Sequence, residues 1–173
     1  MKNLALFIGL ISFSFLAQAQ QNRKIQLVIL FDASNSMDGL LDQAKSKIWA
    51  IVNDASGLRY QGTTPVLEIA MYDYGNSGIS SADNYVRMQT NFTTDLDLIS
   101  AKLFGIRTNG GEEYCGAAIQ KSLQQLNWSN DPKDLKLIYI AGNEPFNQGP
   151  ISYKEVCTEI LKKDVIVNTI YCG

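Results

Sequence analysis

A carboxylate and two hydroxyl groups follow directly after an apolar run, at Asp32, Ser34 and Ser36. The run itself, residues 25–31, is almost entirely apolar, which predicts a buried β-strand. In an extended turn, side chains at every second position point to the same side. Ligands of open α/β sheets bind at the carboxyl ends of the strands, and Mg²⁺ prefers hard oxygen donors of this kind. The pattern therefore indicates a metal site.

The same three residues have a second interpretation, because Asp and Ser are also favoured at the starts of helices. Ser36 lies just before a predicted helix and could accept hydrogen bonds from its first backbone N–H groups. The sequence around the motif leaves both interpretations open.

The rest of the chain predicts alternating strands and helices. Apolar residues at spacings of three and four predict a helix over residues 38–55, closed by Ser56 and Gly57. Two strands, 66–72 and 85–90, are separated by a short turn-rich segment and are expected to pair antiparallel. Thr94 is expected to cap the next helix, and Asp73 to be an exposed turn residue. The later predicted elements are a helix around residues 118–126, a strand at 135–140, a helix opened by a capping box at Ser152, and a strand at 164–170.

Strands that alternate with helices of this length predict an α/β fold with a Rossmann-like, doubly wound, mostly parallel sheet and one antiparallel edge strand. The chain stops at Gly173, directly after the last predicted strand. Because folds of this kind normally lay a further helix over the sheet there, we expect the domain to lack its final helix.

The motif Asp32-Ala-Ser-Asn-Ser36 resembles the Asp-x-Ser-x-Ser motif of the von Willebrand factor type A (VWA) domain family, and the order of predicted elements is similar over residues 20–173. The resemblance implies a metal-ion-dependent adhesion site (MIDAS), in which the two serines and residues of two further loops hold Mg²⁺. It also implies that a carboxylate of a partner protein completes the metal shell.

The other two loops of the resembled site differ from the family pattern. Family members often have a threonine after the paired glycines of the second loop, whereas here Glu112 follows them. We expect Glu112 to be the ligand, with Glu113 and Thr108 as substitutes. Both glutamates could instead stabilise the start of the next helix through its dipole.

In the third loop, Gly142 stands where the family has an aspartate, and Asn143 stands where it has a glycine. Glu144 and the amide oxygen of Asn143 are expected to compensate for the missing carboxylate. The candidate metal ligands are thus Asp32, Ser34, Ser36, Glu112, Glu113 and Glu144, for Mg²⁺ or alternatively Mn²⁺ or Ca²⁺.

Composition narrows the classes of function and partner. The chain has no histidine, which excludes a Ser-His-Asp arrangement, so we expect no enzyme. A net charge of −2 without a basic cluster in the sequence disfavours nucleic acid and anionic membranes as partners. Three cysteines permit at most one internal disulfide, whose pairing is open, or three buried thiols.

The first nineteen residues have the pattern of a secretory signal peptide. Lys2 precedes an apolar stretch, residues 4–16, and Ala17-Gln-Ala19 provides small residues for cleavage. We therefore expect a secreted or periplasmic protein without membrane insertion, in a bacterial envelope. The expected function is metal-dependent binding of another protein through an acidic side chain. The alternatives are a metal-free VWA scaffold in a larger envelope protein and, more distantly, a hydrolase.

Overall fold

The computed structural model describes residues 23–173, so the predicted signal peptide, residues 1–19, lies outside the described residues. Five strands form one sheet in the order β3-β2-β1-β4-β5. β1 (Lys24–Asp32) lies at the centre and pairs parallel with β2 (Val66–Tyr74) and β4 (Leu135–Gly142). β5 (Ile166–Tyr171) continues the parallel pairing beside β4. The edge strand β3 (Val86–Thr93) is antiparallel to β2, which confirms the predicted pair.

Four α-helices cover the two faces of the sheet: α1 (Leu41–Ser56), α2 (Leu96–Gly105), α3 (Cys115–Gln125) and α4 (Tyr153–Lys163). Successive residues of β1 face opposite layers. Leu27, Ile29 and Phe31 pack with α1 and α2, whereas Val28 and Leu30 pack with α3 and α4. The predicted doubly wound α/β architecture is confirmed.

Two predicted helix starts need correction. The first helix begins at Leu41, because a single 3-10 turn (Asn35–Met37) and Gly39, with φ of +82°, come before it. Asp95 rather than Thr94 caps α2, since its carboxylate accepts a hydrogen bond from the backbone N–H of Leu98 at 3.0 Å. The predicted helix start at Ser152 is confirmed, because the Ser152 hydroxyl caps α4 by accepting from the backbone N–H of Lys154 at 3.2 Å.

Asp73 is a buried strand residue and not an exposed turn residue. β2 extends two residues beyond the predicted end, to Tyr74, so Asp73 and Tyr74 face opposite sides of the sheet. The Asp73 carboxylate accepts hydrogen bonds from the Arg87 guanidinium at 2.6 and 3.1 Å and from the Gln89 side chain at 3.0 Å. These partners on the neighbouring strand satisfy both of its oxygens.

Two further observations concern the whole described segment. No helix within residues 23–173 is long and apolar enough to cross a membrane. All three cysteines lie in this segment and carry free thiols, so no disulfide links them: Cys115 is buried, Cys157 exposed and Cys172 half-buried.

Candidate functional site

The central strand ends in a buried carboxylate. Asp32 is the last residue of β1 and is fully inaccessible to solvent. Its Oδ1 atom accepts a hydrogen bond from the backbone N–H of Ser34 at 2.9 Å. Its Oδ2 atom is also buried and has no hydrogen-bond partner within the described residues. Because buried polar atoms are nearly always paired, this unpaired carboxylate oxygen at the strand end is an exception within the described residues.

Burial also changes the acidity of this group. It raises the pKa of Asp32 from 3.8 to about 6, against the opposing effect of the Ser34 hydrogen bonds. The negative charge of Glu113 raises the pKa further. A cation beside Oδ2 would remove this penalty, because it would stabilise the charged form.

The two serines of the motif are connected to each other and to the third loop. Ser34 Oγ lies 2.7 Å from Ser36 Oγ, and Ser36 Oγ donates to the side-chain oxygen of Asn143 at 2.9 Å. The Asn143 amide in turn donates to the backbone oxygen of Ser36 at 3.0 Å. The Asn143 amide thus bridges the first and third loops.

Neither serine side chain caps a helix. Ser34 precedes the 3-10 turn, but its hydroxyl makes no capping hydrogen bond, and the residue before α1 is Leu40. The helix-cap interpretation therefore does not describe this site. The hydroxyl oxygens instead lie together at the end of the strand.

The three candidate glutamates lie in different surroundings. Glu113 is buried, with 7% of its surface exposed. A Cβ atom placed on Gly75 would lie 3.0 Å from Asp32 Oδ1 and 3.3 Å from Glu113 Cγ. Glu112 is exposed and Glu144 is half-buried, and neither side chain hydrogen-bonds to the Asp32, Ser34 and Ser36 cluster in the described part of the chain. The structure thus places Glu113 and Asp32 on the same side of Gly75.

No group of three His, Cys, Asp or Glu side chains within residues 23–173 is arranged to hold a metal ion. Any ion bound at this strand end must therefore rely on hydroxyl and amide oxygens as well. The oxygens of Ser34, Ser36 and Asn143, with the unpaired Asp32 Oδ2, fit a hard cation in their chemistry.

Thr108 is engaged elsewhere. Its hydroxyl hydrogen-bonds to the carboxylate of Asp38, an exposed residue that the sequence analysis did not single out. The pairing joins the second loop to the segment after the 3-10 turn.

A tyrosine occupies the space beside Gly142. A Cβ atom at Gly142 would lie only 2.6 Å from the Tyr74 hydroxyl oxygen and 3.0 Å from Asp32 Oδ2. The Tyr74 ring is fully buried, and its hydroxyl donates to the backbone oxygen of Ala141 at 3.2 Å. The Tyr74 hydroxyl group therefore occupies the space that the side chain of an aspartate at residue 142 would need. The sequence signal for this was the alternation of Ala70, Tyr72 and Tyr74 on one face of β2.

Backbone hydrogen bonds join the loops at this end of the sheet. The N–H of Asn35 donates to Gly110 O at 2.7 Å, and the N–H of Asn109 donates to Ala33 O at 3.0 Å. Ser77 N–H donates to Asn109 O at 2.8 Å. We call these joined loops, residues 33–38, 75–78 and 107–113, the crest.

Gly111 is required by this packing. Its φ is +135°, and a Cβ atom there would lie 1.4 Å from the backbone oxygen of Gly75. Only glycine permits so close an approach of two backbones.

Comparison with known proteins gives structural matches alone. No protein-family model matches the chain, and no curated protein matches it. Proximal thread matrix protein 1 from the mussel byssus, solved with a zinc-occupied MIDAS motif, is 15% identical with a TM-score of 0.63 over 87% of this chain and 38% of that chain. The SpRpn10 VWA domain is 15% identical with a TM-score of 0.61, over 86% of this chain and 75% of that chain.

A third match is the type V pili tip protein Mfa5 from Porphyromonas gingivalis, solved as three N-terminal domains. It is 17% identical with a TM-score of 0.51, over 69% of this chain and 19% of that chain. The chain thus spans well under half the length of the mussel and pilus chains. At these identities the likeness concerns the fold, and the described chain has the fold of a von Willebrand factor type A domain.

Proposed function

We propose that this protein is an exported VWA-type binding module that captures another protein through a divalent metal ion at the crest. The observation that carries the proposal is the buried, unpaired Oδ2 atom of Asp32 beside the joined hydroxyls of Ser34 and Ser36. In this proposal Asp32, Ser34 and Ser36 hold Mg²⁺, or alternatively Mn²⁺ or Ca²⁺. Glu112, Glu113 and Glu144 are the further candidate ligands, and Glu113 and Asp32 both lie against Gly75.

The chemistry of these residues favours capture of an anion. Two neutral hydroxyls and few carboxylates leave a bound Mg²⁺ with most of its positive charge, and Mg²⁺ favours six oxygen ligands. An acidic side chain of a partner protein can supply one of them. The protein's residues would hold the ion, exclude water from one side of it and present its open side to the partner.

Two comparisons support this choice over an enzyme. The mussel protein with the same fold was solved with zinc in its MIDAS motif, and the Porphyromonas gingivalis protein is found at the tip of a pilus. A signal peptide over residues 1–19 and a secreted or periplasmic location complete the proposal. No catalytic residues are proposed, and the lack of histidine disfavours a hydrolase.

One observation favours a second candidate, a metal-free VWA scaffold within a larger envelope protein. Gly142 supplies no third-loop carboxylate, and Tyr74 fills the space where one would stand. Loss of a partner that orients the metal shell commonly lowers metal affinity by roughly 10- to 100-fold.

Thermal unfolding distinguishes the two candidates. A metal that binds only the native state stabilises it by mass action, about 2.7 kcal/mol at a concentration of 100 Kd. We expect millimolar Mg²⁺ or Mn²⁺ to raise the Tm by several degrees and EDTA to reverse the change. Asp32→Asn should abolish the shift, because the amide keeps an acceptor for Ser34 N–H but loses the charge.

Asp54→Asn is the matched control, since Asp54 is an exposed residue of α1 away from the crest. This variant should keep the full metal shift. Unchanged Tm values for the folded wild-type protein with either metal at pH 8 would instead support the metal-free scaffold.

The shift should also depend on pH. The pKa of folded Asp32 is about 6, above its ordinary value of 3.8. In EDTA, this carboxyl therefore destabilises the native state as the pH rises from about 4 through 6, because the folded form binds its proton more tightly. A metal competes with that proton, so the metal-induced rise in Tm should be larger at pH 8 than at pH 5. An equal rise at both values would contradict a role of Asp32 in binding.

A further inference from the structure

A polar cavity whose charged lining residues are all positive lies at the crest. Its volume is about 580 Å³, and the side chains that give it its character are Asn76, Arg87, Gln89, Lys102, Arg107 and Asn109. Every charged residue that lines it is a cation, although the chain as a whole has a net charge of −2. We call it the basic cavity.

Two of its three cations are not neutralised. Lys102 lies in the last turn of α2, and Arg107 is the second residue after the helix. Neither takes part in an ion pair within residues 23–173. Arg87 differs, because its guanidinium is fixed by Asp73, and this pair carries no net charge.

A buried lysine adds further positive charge beside the cavity. Lys45 of α1 is 2% exposed, and its ammonium donates to the backbone oxygens of Ile106 at 2.8 Å and Phe104 at 3.3 Å. The Arg107 guanidinium donates to the same two oxygens, at 3.0 and 3.1 Å. Two cations thus share two carbonyl groups, and no carboxylate hydrogen-bonds to either of them in the described part of the chain.

The effect on acidity agrees with this geometry. Burial, followed by the charge of Arg107, lowers the pKa of Lys45. Part of this lowering of the pKa is thus repulsion between the two cations, and the negative charge of Asp42 opposes it. An anion in the basic cavity would reduce this repulsion.

The basic cavity and the crest share residues, among them Asn76, Arg107 and Asn109. The Asn76 side chain donates to Arg107 O at 3.0 Å, and Asn109, which lines the cavity, donates its backbone N–H to Ala33 O between Asp32 and Ser34. The residues that line the basic cavity are thus held by hydrogen bonds to the segment that carries Asp32 and Ser34.

We propose that the basic cavity is an anion-binding site for carboxylates of an acidic segment in the partner protein. The proposal deepens the proposed function and rests on it for the identity of the partner, while binding in the cavity itself requires no metal. Asn76, Gln89 and Asn109 supply neutral polar groups, and Lys102 and Arg107 supply the charge. A segment with several neighbouring acidic residues can place one carboxylate at the crest and another here.

The test uses a fluorescent hexaglutamate peptide and fluorescence anisotropy in EDTA at low ionic strength, so that metal binding contributes nothing. The double variant Lys102→Gln/Arg107→Gln should bind the peptide about tenfold more weakly than the wild type, in line with two partly exposed charge contacts. The control Lys47→Gln/Lys163→Gln removes the same charge at exposed positions of α1 and α4. It should bind within about twofold of wild type.

Three results would overturn the proposal: no peptide binding by the wild type, equal weakening in both double variants, or displacement of the peptide by inorganic phosphate at equal concentration. The last would assign the cavity to free anions. The Mg²⁺-dependent Tm shift, measured on the same samples, separates this proposal from the proposed function. Peptide binding in EDTA without any metal shift would support the anion site and remove the metal from the function.

Discussion

At the scale of single residues, the Tyr74 hydroxyl restricts which side chain can stand at residue 142 of the third loop. It lies where any side chain at residue 142 would begin, and it is held there by its hydrogen bond to Ala141 O. Tyr74 and Gly142 thus form a matched pair, and the identity of one restricts the other.

This pairing predicts a non-additive pair of substitutions. Gly142→Ala should destabilise the protein by about 1–3 kcal/mol, the usual cost of overpacking a core. In a Tyr74→Phe background the same change should cost clearly less, because the clashing oxygen is gone. Urea unfolding of the four proteins of this cycle measures the coupling. Simple additivity would show that the Asp32 carboxylate, also 3.0 Å from the added Cβ, is the dominant obstacle.

The first loop of the site could be predicted from the sequence, but the residues that pack around it could not. Asp32, Ser34 and Ser36 follow an apolar run so clear that the strand end could be placed to the residue. The surroundings of Asp73 and Tyr74 could not be predicted, because they depend on how far β2 continues. Because β2 includes Asp73 and Tyr74, Asp73 is a buried ion-pair partner and Tyr74 is a core residue.

At the scale of elements, helix starts were the weakest part of the prediction. Thr94 and Asp95 are adjacent and both belong to residue types that cap helices. Only the backbone conformation of Asp95, with φ of −81° and ψ of 97°, lets its side chain reach the N–H of Leu98. The sequence does not contain that information directly.

The two candidate caps of α2, Thr94 and Asp95, can be distinguished by their effects on stability. Asp95→Ala should lower the free energy of unfolding by about 1 kcal/mol, because it removes the cap and a negative charge at the positive end of α2. The adjacent, exposed Thr94 makes no capping hydrogen bond, so Thr94→Ala should change stability by less than about 0.5 kcal/mol. Chemical denaturation of both variants tests the assignment, and a larger effect at Thr94 would reverse it.

At the scale of the whole molecule, the fold class followed from the order of elements. Alternating strands and helices with long connections permit few arrangements other than a parallel sheet covered on both faces. The short connection before β3 accounted for the antiparallel edge. The basic cavity, by contrast, could not be predicted, since Lys45 and Arg87 are far in sequence from Lys102 and Arg107 and meet them only through the fold.

The free cysteines report on the integrity of this fold. Cys157 is exposed on α4, whereas Cys115 is 1% exposed and burial raises the pKa of its thiol to about 11. Iodoacetamide at pH 8 should therefore modify Cys157 readily and Cys115 only after unfolding in guanidinium chloride. Mass spectrometry of the alkylated peptides gives the order. Equally fast modification of Cys115 in native buffer would mean that α3 opens without global unfolding.

The backbone hydrogen bonds that fasten the crest have a consequence for binding kinetics. Loops joined at Asn35, Asn109 and Ser77 are already ordered, so a partner meets a surface whose conformational entropy was lost during folding. Association then needs no loop rearrangement. Variants of the crest should accordingly alter how long a complex lasts more than how fast it forms.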